Sequence, residues 1–291
     1  MASRGGVLLF ILLVLLFVPV PAQGGEVTSG IAEVNGTKLY YEVVGEGQPL
    51  VLVHAGSFDR RIWDEQFTAF ADHYKVIRYD VRGHGKSALP TKPYSDTEDL
   101  YRLLQWLHVE KAHLVGLSLG GRIIIDFTLA HPEMVDTLIL VAPGLSGYTF
   151  SGAHVQGWIK IATSIQHDDG TPAGELWLQS PYMIPAMEHP AVAHKLRPIA
   201  IENSHTWLIH PLLPLDLFAV PPTTQRLSEI HVPTLLIVGE RDQPDIQNIV
   251  GLLETGIAGV QKVVVPGVGH MVNMERAEDF NRIVLDFLST R

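Results

Sequence analysis

From Ile31 onward, apolar and polar positions fall into short blocks whose period changes along the chain. Ile31–Val34, then Asn35-Gly36, then Lys38–Val44 predict a hairpin closed by a type I′ turn. Leu50–Val53 is a run of four apolar residues, the signature of a strand covered on both faces. Ile62–Ala71 predicts a helix and Lys75–Tyr79 another buried strand. Over Thr97–Leu107 the apolar positions Leu100, Leu103, Leu104 and Leu107 share one helical side. Ala112–Gly116 reads as strand, Leu119–Ala130 as helix and Thr137–Ala142 as strand. Buried strands alternating with helices predict an α/β fold, a mostly parallel sheet with helices on both faces. The rhythm stops at Pro143, through a proline-rich stretch holding Trp158, Trp177 and Trp207. It resumes with the strand Thr234–Val238, a helix over Asp245–Thr255, the strand Lys262–Val265 and a helix over Ala277–Leu288. The expected division is therefore a core in two parts, residues 23–143 and 233–291, around a helical insertion at 144–232. An insertion of this length inside a compact domain serves as a lid or binding element rather than a loop.

The amino terminus is of different character. Val7–Val18 carries twelve residues without a side-chain polar atom, behind Arg4 and ahead of Pro19-Val20-Pro21-Ala22. That layout predicts a secretory signal peptide over residues 1–22, and hence an exported protein, periplasmic or secreted, with no stable membrane partner after cleavage. The alternative is an uncleaved N-terminal anchor, but a spanning helix needs about 20 apolar residues and the prolines end this run early.

Composition narrows the chemistry. Of 291 residues 46% are hydrophobic, and the net charge is -10, which gives no electrostatic footing for nucleic acid. The absence of cysteine excludes disulfides, thiol nucleophiles and thiolate-bound metals.

Gly116-Leu117-Ser118-Leu119-Gly120 matches G-x-S-x-G where a strand ends and a helix begins, so Ser118 is the candidate nucleophile on a sharp turn. A serine N-cap would not need both glycines. The candidate base is His270, in the loosened loop Pro266-Gly267-Val268-Gly269-His270, and the candidate orienting acid is Asp242, in Gly239-Glu240-Arg241-Asp242. Asp245, beside Pro244, competes for the acid role but is better suited to start a helix. The amide of Leu119 is one expected oxyanion donor. The second comes from His54-Ala55-Gly56-Ser57, with Gly56 ahead of Ser57.

With these residues in place the chain resembles the α/β-hydrolase superfamily, of the type with a helical cap between its sixth and seventh strands, from Ile31 to Leu288. The resemblance is carried by His54-Ala55-Gly56 with Trp63 downstream, Asp80-Val81-Arg82-Gly83-His84-Gly85-Lys86-Ser87, the serine elbow, the Asp242 segment and Gly269-His270. One departure is His-Ala-Gly where the family often has His-Gly and then a larger residue. The resemblance implies a serine hydrolase of small carboxylic esters or lactones, working through an acyl-enzyme and needing no metal or organic cofactor. A serine at the elbow speaks against the dehalogenase and epoxide hydrolase branches, which need a carboxylate there. The alternatives are carbon–carbon bond hydrolysis or perhydrolysis on the same triad, or a ligand-binding protein with negligible turnover. A peptidase would need a terminus anchor such as Glu175 or Glu188 in the cap. Expected substrate contacts are Ser57, Trp158, Trp177, Trp207 and Met271. The cap aromatics, with Phe150 and Tyr182, read equally well as a pocket lining or as the cap's own core. His54 and His84 read as hydrogen-bonders that stabilise turns.

Overall fold

The computed structural model describes residues 25–166, 171–208 and 214–291. The signal-peptide reading of residues 1–22 lies outside the described residues. The strands are β1 (Thr28–Val34), β2 (Thr37–Val44), β3 (Pro49–Val53), β4 (Lys75–Tyr79), β5 (Ala112–Leu117), β6 (Val135–Val141), β7 (Thr234–Gly239) and β8 (Gln261–Val265). They form one eight-stranded sheet in the order β1-β2-β4-β3-β5-β6-β7-β8. β1 and β2 pair antiparallel, as do β2 and β4, and every later pairing is parallel. The opening hairpin turns at Asn35 and Gly36, both with positive φ, 47° and 66°, as a type I′ turn requires.

Among the described residues the helices are α1 (Asp64–Phe70), α2 (Asp96–Trp106), α3 (Leu119–Ala130), α4 (Gly152–Gln166), α5 (Ala173–Leu178), α6 (Ile184–Met187), α7 (Pro190–Glu202), α8 (Pro244–Gly256), α9 (Val272–Glu275) and α10 (Ala277–Leu288). Leu50, Val51, Leu52 and Val53 are fully buried, and since successive side chains point to opposite faces, both faces of β3 are covered. α1 packs with α10, and α2 with α3. The first predicted helix begins later than its apolar pattern suggested. Residues Arg60–Trp63 form a 3-10 turn whose N-cap, Asp59, accepts the Arg61 amide.

Helices α4 to α7 lie between β6 and β7. The two stems of this insertion meet on one side chain of α3. Asp126 accepts from Ser146 Oγ on the outgoing stem and from Thr223 Oγ1 on the returning one, each at 2.6 Å. At its far end the insertion is tied to the core by buried Asn203, whose Nδ2 donates to Asp59 and whose Oδ1 accepts the Gly85 amide, both at 2.8 Å.

Candidate active site

The strand-to-helix turn at Ser118 is shaped by contacts that admit no side chain. Ser118 has φ 53° and ψ -108°, a conformation that strains any L residue, and its side chain makes no helix cap. A Cβ on Gly116 would stand 2.5 Å from the Gly120 carbonyl carbon, and one on Gly120 would stand 2.1 Å from the Val53 oxygen. Helix α3 is therefore pressed against the ends of β5 and β3 with glycines as the only fit. The elbow is pinned further by the Ser118 amide donating to Val141 O at 3.0 Å and the Gly144 amide donating to Ser118 O at 2.9 Å. Ser118 and Leu119 stay partly accessible while the rest of the turn is buried.

The loop after β3 comes to the same place because of strand order. From β3 the chain steps to β4 on one side and later to β5 on the other, so the loops after β3 and β5 border one crevice. A Cβ on Gly56 would lie 3.7 Å from Leu119 Cβ, which makes the two expected oxyanion donors neighbours. Leu119 opens α3, so its amide has no partner within the helix. The Ala55 carbonyl accepts from His54 Nδ1 at 2.8 Å, and trans geometry then aims the Gly56 N–H the opposite way. His54 Nε2 accepts the Val81 amide at 2.9 Å, so both bonds require the neutral ring protonated on Nδ1. Complete burial favours that state and lowers the His54 pKa to about 4. The ring of His84 packs edge-on to His54, and its Nδ1 faces Arg82 O at 3.1 Å. Ser57 has φ 64° and is partly accessible, with Gly56, in an otherwise buried loop.

His270 and Asp242 meet at the carboxyl ends of β8 and β7. His270 Nδ1 donates to Asp242 at 2.9 Å to Oδ2 and 3.1 Å to Oδ1, and both side chains are buried. Asp242 Oδ1 also accepts the Gln243 amide at 2.7 Å. The pairing occupies Nδ1 and leaves Nε2 as the basic nitrogen. Asp245 is turned to other work. It accepts from Tyr148 Oη at 3.0 Å and from Ser151 Oγ at 2.6 Å, joining the start of α8 to the start of α4. Burial would raise its pKa, but the hydrogen bonds from Ser151 and Tyr148 outweigh it and the pKa is lowered.

Two side chains that frame His270 are not evident as such in the sequence. Glu275, buried on α9, accepts the Gly269 amide at 2.9 Å and the Met271 amide at 3.1 Å, holding the chain on both sides of the imidazole. Tyr182 sets its ring edge-on against His270, centroids 5.1 Å apart, and its hydroxyl is hydrogen-bonded to His154 Nδ1 at 2.7 Å. A capping box would have advertised the acid, but the helix N-cap is Met271, without a hydroxyl, and the acid stands one place beyond the usual partner position.

The expected substrate contacts separate. A cavity of about 410 Å³ lies between α4, α5, the segment through Tyr182 and the start of α8, and Trp158 and Trp177 line it. Trp207 does not line it. It is buried and packs between the other two tryptophans, with centroids 5.6 Å from each. Met271 is fully buried in the apolar core and Ser57 lies at the elbow crevice, so neither borders this cavity. Glu175 and Glu188 are both engaged, with Arg197 and with Arg241.

A sequence profile of the Alpha/beta hydrolase family matches residues 50–283. The chain is similar to a 2-hydroxy-6-oxononadienedioate/2-hydroxy-6-oxononatrienedioate hydrolase of Paraburkholderia phymatum, 32% identical over 268 residues and covering 87% of this chain and 92% of the relative. It is similar also to a carboxylesterase of Bacillus subtilis, 26% identical over 254 residues, with 82% and 79% covered. Among solved structures, an enol-lactonase from Burkholderia xenovorans superimposes with a TM-score of 0.74 at 27% identity, covering 89% of this chain and 100% of that one.

Proposed function

Because the chain belongs to the alpha/beta hydrolase family, we propose that this hydrolase cleaves a small carboxylic ester or lactone with Ser118 as nucleophile, His270 as base and Asp242 as the orienting acid. The observation that carries the reading is the buried His270–Asp242 pair at the ends of β8 and β7, on the same sheet edge as the strained Ser118. His270 Nε2 takes the hydroxyl proton as Ser118 Oγ bonds to the carbonyl carbon, and the charge that develops on the carbonyl oxygen meets the Leu119 and Gly56 amides. The tetrahedral adduct collapses with loss of the alcohol oxygen, which receives the proton from His270. Water then attacks the acyl-enzyme, giving up a proton to His270, and the acid leaves as that proton returns to Ser118. Asp242 holds the imidazole in the required tautomer and stabilises the imidazolium at both steps.

Carbon–carbon bond hydrolysis is the second reading, favoured by the likeness to the Paraburkholderia phymatum hydrolase. The acidic diketones named there call for cationic side chains in the site, and among the described residues Lys160 is the only Lys or Arg lining the cap cavity. Neutral esters fit that lining better. The test is product analysis of the protein and of Ser118→Ala on matched methyl esters, lactones and vinylogous diketones. Acid and alcohol from esters, lost in the variant, support the reading; turnover of the diketones alone overturns it.

A further inference from the structure

Three side chains at and just beyond the end of α7 reach the core. Glu202 pairs with Arg61, His205 Nε2 faces Gly83 O at 3.0 Å, and Asn203 is the buried one of the three. As the C-cap of α7, Asn203 donates from Nδ2 to Ile199 O at 2.9 Å. Its other two bonds leave the helix for two different core loops, one to Asp59 in the loop after β3 and one from the Gly85 amide in the loop after β4. The same loops are joined a second time by Asp80, which accepts the Arg60 amide at 3.0 Å, Arg60 Nη1 at 2.9 Å and the Lys86 amide at 2.8 Å. With the chain itself linking Asp59 to Arg60 and Lys86 to Gly85, these bonds close a ring to which the insertion contributes Asn203. Burial would raise the Asp59 pKa, but the hydrogen bonds from Arg61 and Asn203 outweigh it and lower it to about 2. The Asn203 bond is therefore made to an ionised carboxylate, which strengthens it.

The loop that Asp59 closes carries Gly56, the expected oxyanion donor. It is fixed at His54, whose Nε2 accepts the Val81 amide, and fixed again at Asp59, three residues past Gly56. Between those ends Gly56 has no side chain to anchor it, and Ser57 holds φ 64°, a conformation that an L residue keeps only where its surroundings impose it. Past them Phe58 sinks into the apolar core, and Asp59 supplies the directional bonds. We infer that Asn203 is a positioning residue for the oxyanion site: through Asp59 and Gly85 it sets the loop that aims the Gly56 amide. The inference rests on the hydrolase reading and gives the insertion a part in the chemistry that is played through a core loop. A residue that only capped α7 would need the bond to Ile199 and neither of the others.

The experiment measures kcat/KM for methyl butanoate and methyl phenylacetate and for the thionoester of each, in which sulfur replaces the carbonyl oxygen. Sulfur is the weaker hydrogen-bond acceptor, so the oxygen-to-sulfur ratio reports the donors at the oxyanion and does not depend on the fraction of active enzyme. Asn203→Ala should lower kcat for the oxygen esters by about 10- to 100-fold with KM little changed, and lower the oxygen-to-sulfur ratio at least about fivefold. Asn203→Asp keeps an acceptor for the Gly85 amide but turns a carboxylate towards Asp59. It should lower the ratio likewise, and it serves where the alanine variant does not fold. Thr223→Val loosens the returning stem of the insertion at Asp126 instead, and should lower stability while leaving the ratio at the parent's value. A ratio unmoved in a folded Asn203 variant, whatever its kcat or stability, overturns the inference and leaves the hydrolase reading standing. An equal fall of the ratio in Thr223→Val also overturns it, because loosening of the insertion then suffices. No Ser118-dependent turnover of any of these esters by the parent overturns both.

Discussion

Replacing glycine by alanine at two helical positions should change stability in opposite directions. At Gly120 the new methyl carbon would stand 2.1 Å from the Val53 oxygen and 2.6 Å from the Val53 carbonyl carbon. Comfortable contacts lie at about 3.5–4.0 Å, so the overlap exceeds an ångström and both opposing atoms are backbone. Overpacking of this kind costs about 1–3 kcal/mol, and the rigid partners place Gly120→Ala at the upper end, about 3 kcal/mol. Relief requires α3 to move off the ends of β3 and β5, carrying Ser118 with it, so ester turnover should fall further than stability alone accounts for. Gly251 sits inside α8, and a methyl added there would meet nothing within 4 Å. There the substitution removes backbone freedom from the unfolded chain and should stabilise by about 0.5–1 kcal/mol. Urea unfolding of both variants beside the parent, with activity measured in parallel, provides the assay. A Gly120→Ala protein within about 0.5 kcal/mol of the parent and fully active would refute the crowding assigned to the elbow.

Other consequences follow from single hydrogen bonds. Asp242→Asn can donate to the imidazole and trap the wrong tautomer, so kcat should fall about 10⁴-fold with KM little changed, as steady-state kinetics would read; a loss under tenfold contradicts the role. Glu275→Gln leaves one of the amides of Gly269 and Met271 facing an NH₂ group, and should lower unfolding stability by about 2 kcal/mol and reduce kcat more than KM. The buried neutral His54 should titrate by NMR near pH 4 rather than at its ordinary 6.5. Its folded pKa is depressed, so it contributes about 3 kcal/mol of stability that is present above pH 6.5 and lost as the pH falls through 4. A titration midpoint above 6 would contradict the paired hydrogen bonds to Val81 and Ala55.

The core of the fold was legible because its strands are buried on both faces and so read as unbroken apolar runs, as Leu50–Val53 and Leu138–Val141 do. The elbow was legible because crowding at Gly116 and Gly120 leaves only one residue type at each position. Asp242 could be separated from Asp245 because Pro244 takes the first turn of α8 and commits Asp245 to that end of the helix. The cap was less readable. Its aromatics do both things that composition allows, since Trp207 is packed between its neighbours while Trp158 and Trp177 border a cavity. Only tertiary contact separates those roles. Met271 follows His270 in sequence, yet at the N-cap of the short helix α9 its side chain is buried in the core. Glu275 and Tyr182 act on His270 across separate elements, and no local spacing records such a meeting.

Whether Ser118 at the elbow is an activated nucleophile is read by labelling with a fluorophosphonate, followed by intact mass and peptide mapping. The probe needs no knowledge of the substrate, only a nucleophile beside oxyanion donors. An activated Ser118 predicts one phosphonyl group per chain, on that residue, and none on the folded Ser118→Ala protein. A folded parent that takes up no label, or takes it elsewhere, would contradict an activated Ser118.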